Sequence, residues 1–174
     1  MDFKKSKHFF YVLCFRSIPI NIALILASAV ISIQFRLVVP FLFVLVSNLF
    51  DMFGYYFVLK RRWTLPQSFY EEEDEEKYTA AYRIIQNMFD WLLFAFISVV
   101  FGLKYAIAGW ILKWFALQDV LFYLFLEIPL PYIWTWLEWT PLGMLNPKKY
   151  LTKKEVLIQT FLGILICCGI VLFV

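Results

Sequence analysis

Five stretches of this chain are apolar over roughly the length an α-helix needs to cross a hydrocarbon layer, and no other feature restricts its folding as strongly. They run 18–35, 37–59, 84–103, 114–133 and 156–174. A helix satisfies its backbone hydrogen bonds internally, so continuous apolar runs of this length predict transmembrane helices. A membrane β-barrel would instead need alternating segments of roughly 10 residues divided by turns. Composition agrees: 63% of the residues are hydrophobic, whereas soluble domains sit near ~45–50% apolar. The chain carries twenty Phe, ten Tyr and seven Trp, more aromatic surface than a soluble core requires. The expected fold is all-α, a polytopic transmembrane bundle of about five spans forming one integral membrane domain over 1–174. An aromatic stretch from His8 to Phe15 is expected to lie at the interface. Met1 to Lys7 is basic, but no small-residue cleavage site follows the first apolar run, so no removable leader is expected.

The polar segments set orientation. The acidic segment 63–82 contains Glu71-Glu72-Glu73-Asp74-Glu75-Glu76, and it is expected to extend the third span as a helix into the cytoplasm. Ser68 and Glu71 have capping-box spacing, as do Thr152 and Glu155 before the last run. Acidic residues in first turns also complement the helix dipole. With five spans, Lys4, Lys5, Lys7, Arg16, Lys60, Arg61, Arg62, Lys77, Arg83, Lys148, Lys149, Lys153 and Lys154 fall on one side. Only Arg36, Lys104 and Lys113 fall on the other. Thirteen against three is a strong positive-inside bias, which predicts a cell-membrane protein with its N-terminus in the cytoplasm and its C-terminus outside.

Ionisable groups within spans are costly and face a bundle interior or a water-filled cavity. Asp51, Asp90, Asp119 and Glu127 qualify. Asn48 precedes Asp51 by three residues and Asn87 precedes Asp90 by three, so each amide shares a helical face with its carboxylate and is expected to donate to it. Gln86 and Arg83 lie on roughly the same face as Asp90. At ~1.5 Å per residue, Asp51, Asp90 and Glu127 lie about 12, 10 and 9 Å from the cytoplasmic ends of their spans. They therefore fall in one layer, with Asp119 nearer the outer side. Such a layer would act as proton donors, proton carriers or cation ligands; the alternative is polar groups that hydrogen-bond across the bundle as glue, each worth about 0.6–2 kcal/mol.

The remaining features point to packing. Cys14, Cys167 and Cys168 lack metal-ligand spacing and are expected to be unpaired packing residues, and no metal site is expected. His8 is the single histidine, which excludes self-contained Ser/His/Asp catalysis and histidine zinc sites. Ala23 and Ala27, and Ser28 and Ser32, put small residues four apart in the first span, as close helix packing requires. Trp134, Trp136 and Trp139 are expected to form an aromatic belt at the inner interface. No phosphate-binding glycine loop occurs, and the basic residues flank spans rather than forming a nucleic-acid surface.

Asp90, Trp110 and Gln118-Asp119-Val120-Leu121-Phe122 loosely resemble the small membrane carotenoid cyclases of the lycopene-cyclase domain type, over about a fifth of the chain. In that family an acidic pair stands where this chain has Gln118-Asp119, and the preceding proline is absent here. The resemblance implies acid catalysis on an isoprenoid. Three functions stay open: a non-catalytic or assembly component of a membrane, which is the leading expectation; a small transporter or ion-translocating subunit; and an intramembrane acid-catalysed enzyme acting on a lipid or isoprenoid. The expected partners are the lipid bilayer and further copies or other chains in an oligomer, with no nucleic acid. No cofactor follows from the sequence.

Overall fold

The computed structural model describes residues 3–64 and 72–173, with side chains described for 8–56 and 80–173. It is helical almost throughout. Helix α1 (Phe3–Val12) passes through one π-helical turn (Leu13–Ser17) into α2 (Ile18–Ser32) without a break. The aromatic stretch expected at the interface is therefore continuous with the first span, and the apolar helix runs His8–Ser32. The π turn sits where Pro19 has no N–H to offer the preceding turn, so the hydrogen-bond ladder is re-spaced rather than broken. A 3₁₀ turn (Arg36–Val38) leads into α3 (Val39–Thr64). Helix α4 (Glu72–Val100) carries the later part of the acidic run in one continuous helix with the third apolar stretch. The capping box expected at Ser68–Glu71 lies outside the described residues.

The fourth span differs from expectation. Instead of one helix over 114–133, there are two: α5 (Leu103–Trp114) and α6 (Leu117–Phe125), bent by 65°. Ala116 makes the bend by adopting a left-handed backbone, φ 66°, a conformation that costs roughly 1–2 kcal/mol for a residue with a Cβ. No Gly or Pro marks the break. It is held from outside: Thr160 Oγ1 donates to the carbonyl of Phe115 at 3.1 Å, and Trp114 Nε1 donates to the carbonyl of Trp139 at 2.9 Å.

After α6 the chain forms a two-stranded antiparallel ribbon, β1 (Ile133–Trp134) with β2 (Leu151–Thr152), around the short helix α7 (Pro141–Leu145). Gly143 is required here, because a Cβ would stand 2.0 Å from the Leu137 carbonyl oxygen. The last helix, α8 (Lys153–Phe173), starts at the expected capping box. The Thr152 backbone N–H donates to Glu155 Oε2 at 2.6 Å and the Glu155 N–H to Thr152 Oγ1 at 3.4 Å. Trp134 corrects the aromatic-belt expectation: it is fully buried, packed on Tyr123 and Trp136 with ring centroids 5.0 and 5.1 Å away. Trp136 and Trp139 stay exposed.

Among the described residues, four helices are long and apolar enough to cross a membrane, and up to five spans result if the bent pair counts as one. Helix α3 is the hub: 56% of its apolar stretch is buried within the chain, against 11% for α4. The apolar core divides along α3. Val39 and Phe43 meet Ile97, Tyr105 and Val171 at one end, and Met52 meets Leu13 and Leu126 at the other. A third cluster joins Val120, Trp134, Leu151 and Val156. Outward, large apolar side chains such as Val30, Leu92, Val99, Phe161 and Leu172 are exposed. The apolar surface lies outside as well as inside, as expected of a helix bundle solvated by hydrocarbon.

Candidate intramembrane polar site

Between the two apolar ends of α3 lies one polar turn: Ser47, Asn48 and Asp51. Four other segments send polar side chains to it. From α4, Asp90 Oδ1 accepts the Ser47 hydroxyl at 2.6 Å. From α5, Lys113 Nζ donates to Ser47 Oγ at 2.8 Å and pairs with Asp90 Oδ2. The Asp51 carboxylate accepts the side-chain amide of Gln86 on α4 and that of Gln118 on α6. From α2, Asn21 Nδ2 donates to the Leu45 carbonyl at 3.2 Å and contacts Met52 Sδ at 3.8 Å, one on either side of Asn48. Asp90 and Lys113 are almost wholly withdrawn, with side chains 3% and 13% exposed; Asp51 is part-buried.

The local reasons for this arrangement are plain. Residues 47, 48 and 51 occupy adjacent faces of α3, so together they span about a third of its circumference. Tyr82 fixes α4 against the next turn, its hydroxyl donating to the Phe50 carbonyl at 2.7 Å while its ring lies over Gly54. Helix α5 approaches closely because Gly109 faces Phe43: an added Cβ would meet the Phe43 Cβ at 2.7 Å. That contact carries Lys113, one turn later, to Ser47. The break at Ala116 then redirects the chain so that Gln118 reaches Asp51.

Of the carboxylates expected in one layer, Asp51 and Asp90 share this turn of α3. Glu127 does not join them. It follows α6 in a left-handed conformation, φ 56°, and its half-exposed side chain pairs with Arg16 at 2.7 Å. Asp119 accepts Trp136 Nε1–H at 3.2 Å near the surface. The Asn–Asp pairing on one helix also differs from expectation. Asn48 is fully buried with neither amide atom hydrogen-bonded, and Asn87 is exposed. Gln86 and Gln118 supply the donors to Asp51, and Ser47 and Lys113 those to Asp90, because an Asn three residues away on the same helix points alongside its neighbour rather than across to it. Lys113, read from the sequence as a boundary residue on the outer side, lies in the core. The signal available was that it interrupts an otherwise apolar stretch from Tyr105 to Leu117.

Among the described residues, no group of three or more His, Cys, Asp or Glu is placed to hold a metal ion. Cys14, Cys167 and Cys168 are free thiols. Trp110, part of the cyclase-like pattern, packs against Phe43, Trp91 and Phe94 rather than reaching the polar turn. No protein-family model matches the chain, nor does any curated protein or solved structure.

Proposed function

We propose that this chain is a five-crossing integral membrane protein with a non-catalytic role, a structural or assembly component whose buried polar groups clasp its helices. The observation that carries this reading is the Ser47–Asp90–Lys113 cluster: a buried ion pair is closed on itself, with its partners drawn from three helices. Inside a bilayer such a clasp selects one arrangement of helices over others that bury the same apolar area. Asp90 and Asp119, the acidic residues of the cyclase-like pattern, are both engaged by protein donors, which favours a holding role over proton donation to a substrate.

Charge and the order of contacts support an orientation with the N-terminus in the cytoplasm. Lys113 leaves the positive-inside comparison, being paired in the core, so thirteen basic residues on one side face Arg36 and Lys104 on the other. Along α3 the partners of Phe43, Ser47 and Asp51 on the bent pair are Gly109, Lys113 and Gln118 in turn. The pair thus advances beside α3 and does not return to its entry side, which supports counting it as one crossing. A re-entrant α5–α6 would carry Lys148, Lys149, Lys153 and Lys154 to the other face and reduce the bias to nine against six.

Purification from native membranes in mild detergent, with mass and chain content determined, tests the role. The expected result is a complex larger than the 20.8 kDa chain, containing further copies or other membrane proteins. A monomer that turns over an added lipid or isoprenoid, or moves an ion across reconstituted vesicles, would overturn the proposal.

A further inference from the structure

Charge is not balanced around the polar turn of α3. Among the described residues at this turn one ammonium, Lys113, stands beside two carboxylates, Asp51 and Asp90. That ammonium is already hydrogen-bonded to Asp90 and Ser47. Among the described residues, both donors that reach Asp51 are neutral amides. A carboxylate in a low-dielectric region is costly unless it takes up a proton or a cation joins it.

Hydrogen bonding gives an independent sign of the same deficit. Three buried amide oxygens, Asn48 Oδ1, Gln118 Oε1 and Asn21 Oδ1, have no donor; among the described residues the buried donors without an acceptor are Asn48 Nδ2 at this turn and Trp134 Nε1 and Gln159 Nε2 elsewhere. The three residues are 0%, 4% and 0% exposed. Asn48 is one helical turn from Asp51. The amide nitrogen of Gln118 is bonded to Asp51 Oδ2, so its orphaned oxygen lies within the width of one amide group from that carboxylate. Asn21 is held against Leu45 and Met52, which flank Asn48 on α3. Buried polar atoms are almost always satisfied, and here the excess is of acceptors.

We propose that Asp51, Asn48 Oδ1 and Gln118 Oε1 form a binding site for one monovalent cation of the sodium class, with Asn21 Oδ1 bordering it. One carboxylate with neutral amide oxygens matches a single positive charge and a hard cation's preference for oxygen. A divalent ion would call for more carboxylates than this site offers. The inference goes beyond the structural role proposed above and requires neither transport nor catalysis: the ion completes the clasp around α3.

Thermal unfolding of the purified full chain in detergent, titrated with sodium chloride against choline chloride at equal ionic strength, tests this. Sodium near 100 times its Kd is expected to raise the Tm by roughly 5–10 °C over choline. Asp51→Asn should abolish the sodium-specific shift. Asn48→Leu keeps the carboxylate and removes one oxygen ligand, and should move the sodium midpoint upward at least tenfold; it keeps the test decisive if the Asp51 variant does not fold. Equal effects of sodium and choline would mean that water fills the site, and would overturn the proposal. So would a sodium shift that persists unchanged in Asp51→Asn or in Asn48→Leu.

Discussion

At the scale of single residues, Lys113 and Asp90 show how a charge changes meaning once its partner is known. Two side chains on different helices, each costly to bury alone, become a hydrogen-bonded pair supported by Ser47. Breaking a buried pair leaves an uncompensated charge, which costs about 3–5 kcal/mol, whereas replacing both partners by apolar residues of similar size is far milder. We therefore expect Lys113→Met to lower unfolding stability by several kcal/mol, and Lys113→Met with Asp90→Leu to recover most of it. Denaturant titration of the two single variants and the double variant measures the coupling. Additive losses would show that Lys113 and Asp90 act separately. Glu127 and Arg16, each about half-exposed, make a pair of lower worth, since exposed ion pairs contribute about 0–1 kcal/mol.

At the scale of elements, the break between α5 and α6 is supported from α8. Gly163 lets the ring of Phe115 lie against α8, where an added Cβ would meet the Phe115 Cβ at 2.4 Å. Thr160, one turn earlier, takes up the Phe115 carbonyl that the break releases. Irregular backbone is tolerated where protein groups satisfy it, at membrane depth as elsewhere, and here Thr160 does so. Gly163→Ala is expected to force α8 away from Phe115 and cost about 1–3 kcal/mol, as overpacking does. Gly169→Ala is the internal control, since nothing lies within 4 Å of a Cβ there. Thermal unfolding of the two variants should separate them; equal behaviour would mean that α8 has no close seat on Phe115. The bend could not be read from residues 114–133, because Ala116 and Phe115 carry no local preference for it. The preference comes from α8, more than forty residues later in the chain.

At the scale of the whole molecule, the five-crossing reading predicts which loops face which side. With the native cysteines replaced by serine, a single cysteine at Lys104 is expected to react with a membrane-impermeant maleimide added outside intact cells. One at Lys148 is expected to react only after the membrane is permeabilised. Labelling of both positions from outside would make α5–α6 re-entrant and put the C-terminus in the cytoplasm. The second, third and fifth apolar helices were legible from apolar run length, and the start of α8 from the Thr152–Glu155 box. The polar turn was legible in part. Asp51 and Asp90 stood out as charges in apolar runs, but Lys113, Ser47, Gln86 and Gln118 as their partners did not.

That difference has one physical cause. Apolar length, charge placement and helix caps are local properties of the chain, set within about twenty residues by the thickness of a hydrocarbon layer and the geometry of one helix. From them the sequence by itself determined a helical chain with membrane-length segments and carboxylates inside them. Which donor meets each carboxylate, where the fourth apolar run bends, and whether Trp134 lies in a belt or a core depend on contacts between residues tens of positions apart. Those contacts form only when α3 packs against its neighbours. Only the tertiary structure decided that Asp90 is paired, that Glu127 lies elsewhere with Arg16, and that Asp51 is held by the amides of Gln86 and Gln118.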